Sequence, residues 1–280
     1  MELWYTEEHT KNVRFSIKVN EHLYKHDSNY QRIDVFETTE FGKVLTLDDV
    51  IMLTEHDEFI YHEMIVHPAL AANPNIKKVL VIGAGDGGTI NQLIKYPTIS
   101  HIDLVEIDEE VVKTAQTYFP SIANSFQDDR VKMNFCDGLK FVRRMNNEYD
   151  LIIVDSTDPF GPGEGLFTRE FYGNCYKALT AEGILINQHE SPYYHEDALA
   201  MKQAHSRIKP YFPICKVYQA HIPTYPSGHW LFGYAAKTIH PLNDNINKWN
   251  NLHIKTDYYN TELHKGSFAL PNYVIQLMEE

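Results

Sequence analysis

The first part of the chain shows the two-residue period of β-strands. In the segment VRFSIKV, apolar residues from Val13 to Val19 alternate with polar ones, and RIDVFET repeats the pattern. The segment KVLTLDDVIMLT indicates two further short strands around its paired aspartates. A sheet of this size needs a neighbouring domain or a second subunit to pack against. We therefore predict a small N-terminal antiparallel β domain over residues 1–56.

After residue 56 the pattern changes to an alternation of helices and strands. DEFIYHEMIVHPALAA opens with acidic residues and predicts a helix that ends before Pro74. Five apolar segments then follow, separated by amphipathic helices: KKVLVIG, HIDLVEI, RVKMNF, DLIIVD and GILINQ. This alternation is typical of an α/β fold with a parallel sheet covered on both faces. We assign it to residues 57–280, with CKVYQAHI and WLFGYAA as a later antiparallel pair.

Composition narrows the classes of ligand. The 280 residues include 25 Lys and Arg against 38 Asp and Glu, which gives a formal net charge of −13. Because phosphate groups would be repelled, this charge argues against nucleic acid and anionic membranes as partners. It weakly favours a cationic ligand.

Several features suggest a soluble, cytoplasmic protein. The N-terminal segment MELWYTEEHT has neither a basic stretch nor an apolar core, so we expect no signal peptide. No apolar run approaches the length needed to cross a bilayer. Cys136, Cys175 and Cys215 are widely spaced and fit reduced thiols better than disulfides or a zinc site.

A glycine-rich loop follows the first strand of the α/β segment. In VLVIGAGDGG, Gly83, Gly85 and Gly88 have the GxGxxG spacing between a strand and a helix, and Glu106 ends the next strand. An NAD-dependent dehydrogenase would show both features. Asp86, however, lies inside the loop, where its carboxylate would oppose the pyrophosphate of a dinucleotide. The loop therefore suits an S-adenosyl nucleoside with a cationic sulfonium better than NAD.

Acidic residues recur where successive strands end. Beyond those of the glycine loop and the second strand, Asp137 follows the third strand, and Asp155 and Asp158 follow the fourth. In a parallel sheet the carboxyl ends of the strands meet at one edge, where such folds bind ligands. Asp137 is also a suitable helix cap. Several carboxylates at one edge would repel one another unless a cation neutralised them, so we predict a site for amines.

The segment HEMIVH resembles the zinc-protease sequence HExxH, but its histidines are five residues apart. His62 and His67 would therefore lie about 140° apart around a helix, given 100° per residue, and would not share a face. We expect no metal site here.

In combination, these motifs resemble the spermidine synthase family of polyamine aminopropyltransferases, of the bacterial type. The resemblance covers essentially the whole chain, from YQRIDVFET through DEFIYHEMI, VLVIGAGDGG, VEID, CDG, DSTDPFGP, QHESP and IPTYPSGHW to YYNTELHKGSFALPN. It implies a Rossmann-like, methyltransferase-type catalytic domain behind the N-terminal β domain. It also implies transfer of an aminopropyl group from decarboxylated S-adenosylmethionine to putrescine, which yields spermidine and methylthioadenosine without a cofactor or a metal.

The resemblance assigns roles to individual residues. Asp155 would be the proton acceptor, with Tyr61 and Tyr225 near the reacting amine. Residues around the polyamine would be His62, Asp86, Ser156 and Asp158. Residues of the nucleoside site would be Gln31, Gly83, Gly85, Glu106, Asp137, Gly138 and Pro162, with Glu106 on the ribose hydroxyls and Asp137 with Gly138 at the adenine.

Two departures and three alternatives stand beside this interpretation. Ala84 replaces a glycine that is more usual there, which is tolerated if its φ is negative, and Gln92 stands where many relatives carry a glutamate. A small-molecule methyltransferase, an aminopropyltransferase with another acceptor, and a non-catalytic sensor would share parts of the pattern. We expect a homodimer or homotetramer joined through the N-terminal sheet.

Overall fold

The N-terminal segment forms one five-stranded antiparallel sheet. The computed structural model describes residues 2–156 and 161–279. The strands of this sheet follow one another in space as in the chain: β1 Leu3–Thr10, β2 Val13–Asp27, β3 Arg32–Thr38, β4 Lys43–Leu47 and β5 Val50–Thr54. The strands predicted from residue 13 onwards are confirmed.

Strand β1 was not predicted from the sequence. Its inward positions include Tyr5 and Glu7, so a carboxylate interrupts the apolar alternation. Glu7 is buried because its Oε2 accepts a hydrogen bond from the backbone N of Ile51 at 2.6 Å and its Oε1 lies 2.6 Å from His9 Nδ1.

The rest of the chain builds a seven-stranded mixed sheet. Its strands are β6 Lys78–Gly83, β7 His101–Glu106, β8 Val131–Phe135, β9 Tyr149–Asp155, β10 Leu179–Gln188, β11 Ile214–His221 and β12 His229–Ala236. They lie in the order β11-β12-β10-β9-β6-β7-β8. The pairs from β10 to β8 are parallel, whereas β12 is antiparallel to both β10 and β11, which confirms the predicted α/β fold.

Helices cover both faces of this sheet. They are α1 Glu58–Ala72, α2 Gly88–Leu93, α3 Glu109–Tyr118, α4 Pro120–Ala123, α5 Gly138–Val142, α6 Arg169–Ala178, α7 His195–Ile208, α8 Ile246–Trp249, α9 Thr261–Ser267 and α10 Asn272–Glu279. Alternate residues of β6 explain the two-sided core: Val79 and Val81 pack in one apolar cluster, and Leu80 and Ile82 pack in the other. None of the helices in the described ranges is both long and apolar enough to cross a membrane.

The position of the site follows from a reversal of strand order between β6 and β9. The chain runs outward from β6 through β7 to β8 on one side, and through β9 to β10 on the other. Ligands in open α/β sheets bind beyond the carboxyl ends of the strands at such a reversal. Gly83 and Asp155, the last residues of β6 and β9, are paired in register here. A side chain at Gly83 would lie 1.9 Å from the backbone O of Asp155, which accounts for the glycine.

The two sheets are packed together next to this point. Ile33, Val35 and Leu45 of the N-terminal sheet form an apolar cluster with Val111 of α3 and Phe119 beside it. The division of the chain at residues 56 and 57 stays a prediction.

Candidate active site

One cavity of about 390 Å³ opens beyond the carboxyl ends of β6, β7 and β9. The N-terminal sheet forms its opposite wall through residues such as Leu45, Leu47 and Ile51. The residues predicted from the sequence that line it are Gln31, Tyr61, His62, Gly83, Gly85, Asp86, Glu106, Asp137, Gly138, Asp155, Ser156 and Tyr225. Asp158 lies outside the described residues. The backbone of Pro162 belongs to the 3-10 helix Gly161–Phe167 that follows β9.

The described lining of this cavity is strongly acidic. Eight of its residues carry a carboxylate, namely Glu7, Glu8, Asp86, Glu106, Asp137, Asp155, Glu190 and Asp197. The same described lining contains no lysine or arginine. A lining in which carboxylates outnumber cationic side chains in this way favours a ligand with more than one positive charge.

Asp155 is held by one hydroxyl donor on each carboxylate oxygen. Tyr61 donates from its hydroxyl to Oδ1, and Thr89 donates from its hydroxyl to Oδ2, both at 2.6 Å. Burial, together with the nearby negative charge of Asp86, raises the pKa of Asp155 above its ordinary value. A carboxylate with a raised pKa is a stronger base, so Asp155 is suited to accept a proton.

Asp86 and His62 form a buried ion pair in the wall of the same cavity. His62 Nε2 lies 3.3 Å from Asp86 Oδ1, and His62 Nδ1 lies 2.5 Å from Glu58 Oε2, one helical turn away. Asp86 Oδ1 also accepts the backbone N–H of Gly88 at 2.6 Å. Burial opposes both charges, yet the carboxylates raise the pKa of His62 well above its ordinary value, and His62 lowers the pKa of Asp86.

Tyr225 joins the two sheets at the cavity wall. Its hydroxyl donates to the backbone O of Met52 on β5 at 2.6 Å, and its ring lies 5.8 Å from that of Tyr61. The preceding residue, Thr224, donates its backbone N–H and its hydroxyl to Asp57 Oδ2 at 3.1 and 2.7 Å. Buried Asp57 therefore fixes the loop that carries Tyr225.

The far end of the cavity presents Glu106, the last residue of β7. Its Oε1 accepts the backbone N–H of Asp108 at 2.9 Å, and burial raises its pKa to about 7. Gly85 must be small here, because a Cβ would lie 3.0 Å from Glu106 Oε2. Gln31 reaches the same end from the N-terminal sheet and donates to Asp108 Oδ2 at 3.1 Å.

Three sequence details gain a structural explanation. Asp137 caps α5, because its Oδ1 accepts the backbone N–H of Lys140 at 3.2 Å, and it also lines the cavity. Ala84 has a φ of 65°, so the condition of a negative φ, under which the replacement of glycine would carry no strain, is not met. The turn after β6 requires this left-handed conformation, in which Ala84 N–H binds the backbone O of Asp155 at 2.9 Å. Gln92 is buried on α2 and is not part of the described cavity lining.

Sequence reasoning missed several residues of this site. Thr89 gave no signal beyond its place after the glycine loop. Glu7, Glu8 and His9 line the cavity from β1, the strand that the apolar pattern did not predict. Glu190 lies in the quoted motif QHESP, but its place in the cavity wall follows from a left-handed turn with a φ of 65°.

Comparisons with known protein families match both parts of the chain. Residues 58–245 match the family described as "Spermine/spermidine synthase domain", and residues 3–55 match "Spermidine synthase tetramerisation domain". A polyamine aminopropyltransferase of Clostridium perfringens is 68% identical over 279 residues, covering 100% of this chain and 99% of the relative. One from Alkaliphilus oremlandii is 65% identical over 281 residues, with the same coverage.

Solved structures share the whole architecture. A spermidine synthase in complex with the transition-state analogue AdoDATO is similar with a TM-score of 0.96 and 42% identity, covering 99% of this chain and 95% of that one. Spermidine synthase from Thermotoga maritima is similar with a TM-score of 0.93 and 40% identity, covering 99% and 94%.

Proposed function

Because this chain belongs to the spermine/spermidine synthase family, we propose that it transfers an aminopropyl group from decarboxylated S-adenosylmethionine to putrescine. The products are spermidine and methylthioadenosine. The chain is an aminopropyltransferase, and putrescine is the acceptor that we assign to it.

The acidic lining of the cavity is the observation that carries this function. Putrescine carries two ammonium groups, and the donor carries a sulfonium and an amine, so the bound ligands bring several positive charges. Eight carboxylates without a lysine or arginine in the described lining match such ligands. A site for nucleotide phosphates would require the opposite charge.

The chemistry is a single in-line displacement. The neutral amine nitrogen of putrescine attacks the propyl carbon next to the sulfonium, the new C–N bond forms, and the C–S bond breaks. The electron pair of the C–S bond goes to sulfur, which leaves as a neutral thioether. Since the sulfonium is already an activated leaving group, the reaction as proposed uses no metal and no resident cofactor.

Asp155 supplies the base. An alkylammonium has a pKa of about 10.4, so most of the acceptor enters protonated at neutral pH. Asp155 takes the proton, while Tyr61 and Thr89 hold its two oxygens in a fixed orientation. Tyr225 and Ser156 border the same space. Asp86 lines the same cavity and binds an ammonium group.

The remaining residues hold the donor. Glu106 accepts hydrogen bonds from the ribose hydroxyls, and Asp137 and Gly138 border the adenine. Gly83 and Gly85 let the nucleoside approach the backbone, and Gln31 closes this end from the N-terminal sheet. Fixing amine and carbon in line lowers the barrier by several kcal/mol, on the order of 7 in well-oriented systems.

Mass spectrometry of parallel reactions tests this function. The protein is incubated with decarboxylated S-adenosylmethionine and with putrescine, cadaverine, agmatine or spermidine. We expect methylthioadenosine to form fastest with putrescine, together with spermidine. A faster reaction with another acceptor would identify that amine, and not putrescine, as the substrate. Binding of both ligands without product would contradict an enzymatic role.

We further propose that the protein is a cytoplasmic homodimer or homotetramer assembled through its N-terminal sheet. Leu3 and Trp4 at the start of β1 are 51% and 53% exposed, and a covering partner would remove these adjacent apolar side chains from water. Light scattering after gel filtration measures the assembly state. A monomer at micromolar concentration would contradict the proposal.

A further inference from the structure

Both ring nitrogens of His62 are already occupied by carboxylates. Nδ1 lies 2.5 Å from Glu58 Oε2, and Nε2 lies 3.3 Å from Asp86 Oδ1. A neutral imidazole has one N–H, so only the imidazolium, with two N–H groups and no free lone pair, satisfies both contacts. The side chain of His62 therefore offers no acceptor to an incoming ammonium group.

We propose that Glu58 and His62 are positioning residues. In the series Glu58–His62–Asp86, Glu58 orients His62, and His62 holds the Asp86 carboxylate in the orientation and charge state that bind the amine. The inference rests on the proposed function, because it assigns the amine contact to Asp86. It replaces a direct contact between the His62 side chain and the polyamine by an indirect role.

The placement of Glu58 supports action through His62. Glu58 begins α1 and lies four residues before His62, so the two side chains share one face of the helix. Its side chain is 17% exposed and does not belong to the described cavity lining, whereas His62 and Asp86 do. The described contact that links Glu58 to the cavity is therefore its pairing with the histidine.

The residues packed around the His62 ring hold it in a single orientation. The side chain is 3% exposed, and a Cβ on Gly88 would lie 2.1 Å from the ring Cε1. The start of α2 thus rests directly on the imidazole. The same turn donates the Gly88 N–H to Asp86 Oδ1, so ring and backbone together fix this carboxylate oxygen.

The groups that face His62 explain why the histidine stays charged. Glu58 faces it from its own helix, Asp86 from the glycine loop, and Asp155 from β9, while the Tyr61 ring lies edge-on at 5.5 Å. All three acidic groups favour the imidazolium. The imidazolium in turn keeps Asp86 ionised, which preserves its attraction for an ammonium group.

Titration of the His62 ring by NMR tests the pairing without any substrate. The variants are Glu58→Gln, which removes the charge at constant volume, Glu58→Asp, which keeps it, and His62→Gln, which assigns the signal. Glu55→Gln is the matched control, since Glu55 pairs with Lys43 on the surface. We expect the His62 midpoint to fall by about one pH unit in Glu58→Gln and to stay unchanged in the control. An unchanged midpoint in Glu58→Gln would overturn the proposal.

Steady-state kinetics test the effect on the amine. In Glu58→Gln we expect the KM for putrescine to rise about tenfold, more at pH 9 than at pH 7, with kcat and methylthioadenosine affinity nearly unchanged. Glu58→Asp should restore most of the KM. A loss that is equal at all pH values and accompanies a lower melting temperature would indicate a purely structural role and overturn the proposal. If the wild type transfers no aminopropyl group to any amine, the proposed function fails, while the NMR titration still decides the pairing.

Discussion

Replacing Glu106 by glutamine is expected to stabilise the ligand-free protein and to weaken the nucleoside binding that we propose for this site. Burial raises the pKa of Glu106 from 4.5 to about 7. Each pKa unit corresponds to about 1.36 kcal/mol, so ionised Glu106 costs the fold roughly 3 kcal/mol above pH 7. Glutamine is neutral and keeps an oxygen for the backbone N–H of Asp108. The variant should therefore melt on the order of 5 °C higher at pH 8.

The pH dependence distinguishes this cause from a general packing effect. The folded pKa lies above the unfolded one, so the folded state holds the extra proton between pH 4.5 and pH 7. Wild-type stability contributed by this group is full below pH 4.5 and is lost as the pH rises to about 7. The difference between variant and wild type should thus vanish near pH 4.5 and reach its maximum above pH 7.

Differential scanning calorimetry from pH 4.5 to pH 8.5 measures this difference, with Glu40→Gln as the control at an exposed turn. Isothermal titration with methylthioadenosine should show at least tenfold weaker binding in Glu106→Gln, because in the proposed function Glu106 is the charged acceptor for the ribose hydroxyls. A difference in melting temperature that is constant across the pH range, or a less stable variant at pH 8, would refute the reasoning.

Three further changes probe the site. Asp155→Asn should lower kcat at least about 100-fold with nucleoside affinity unchanged, and turnover near the wild-type rate would remove Asp155 from the chemistry. Thr89→Val removes the donor to Asp155 Oδ2, so the acidic limb of the rate profile should move to higher pH, whereas Thr89→Ser should keep it in place. Gly88→Ala should cost about 1–3 kcal/mol in denaturant unfolding because its Cβ meets the His62 ring, while Gly266→Ala, with open space around it, should not destabilise the fold.

The sequence predicted the α/β sheet and most of the acidic edge because both depend on local patterns. Strand ends follow from apolar periodicity: Glu106 and Asp155 are the last residues of their strands, and Asp86 lies three residues after the end of β6. Strand β1 was not predicted because its buried Glu7 breaks the apolar alternation. The burial of Glu7 depends on a hydrogen bond from the backbone of Ile51, 44 residues away.

Contacts between distant segments set the rest of the site. Thr89 contacts Asp155, which lies 66 residues later in the chain, and no spacing rule predicts that the Thr89 hydroxyl is the second donor to this carboxylate. The left-handed φ of Ala84 arises in the same way, because the β6–β9 register draws its N–H to the carbonyl of Asp155. Residue type alone suggested the opposite sign for that angle.

Residues of both sheets line the cavity, so a ligand bound there should reduce the motions of the N-terminal sheet. Ile51 on β5 and Gly83 on β6 border the same space, and Tyr225 ties its own loop to the carbonyl of Met52. In the proposed function this cavity holds the nucleoside, so opening of the N-terminal sheet would release it and saturation with methylthioadenosine should suppress that opening by mass action. Hydrogen exchange measures this effect: amides of β4 and β5 should slow about 100-fold at a ligand concentration 100 times its Kd, whereas those of α10, none of whose described residues lines the cavity, should exchange as before.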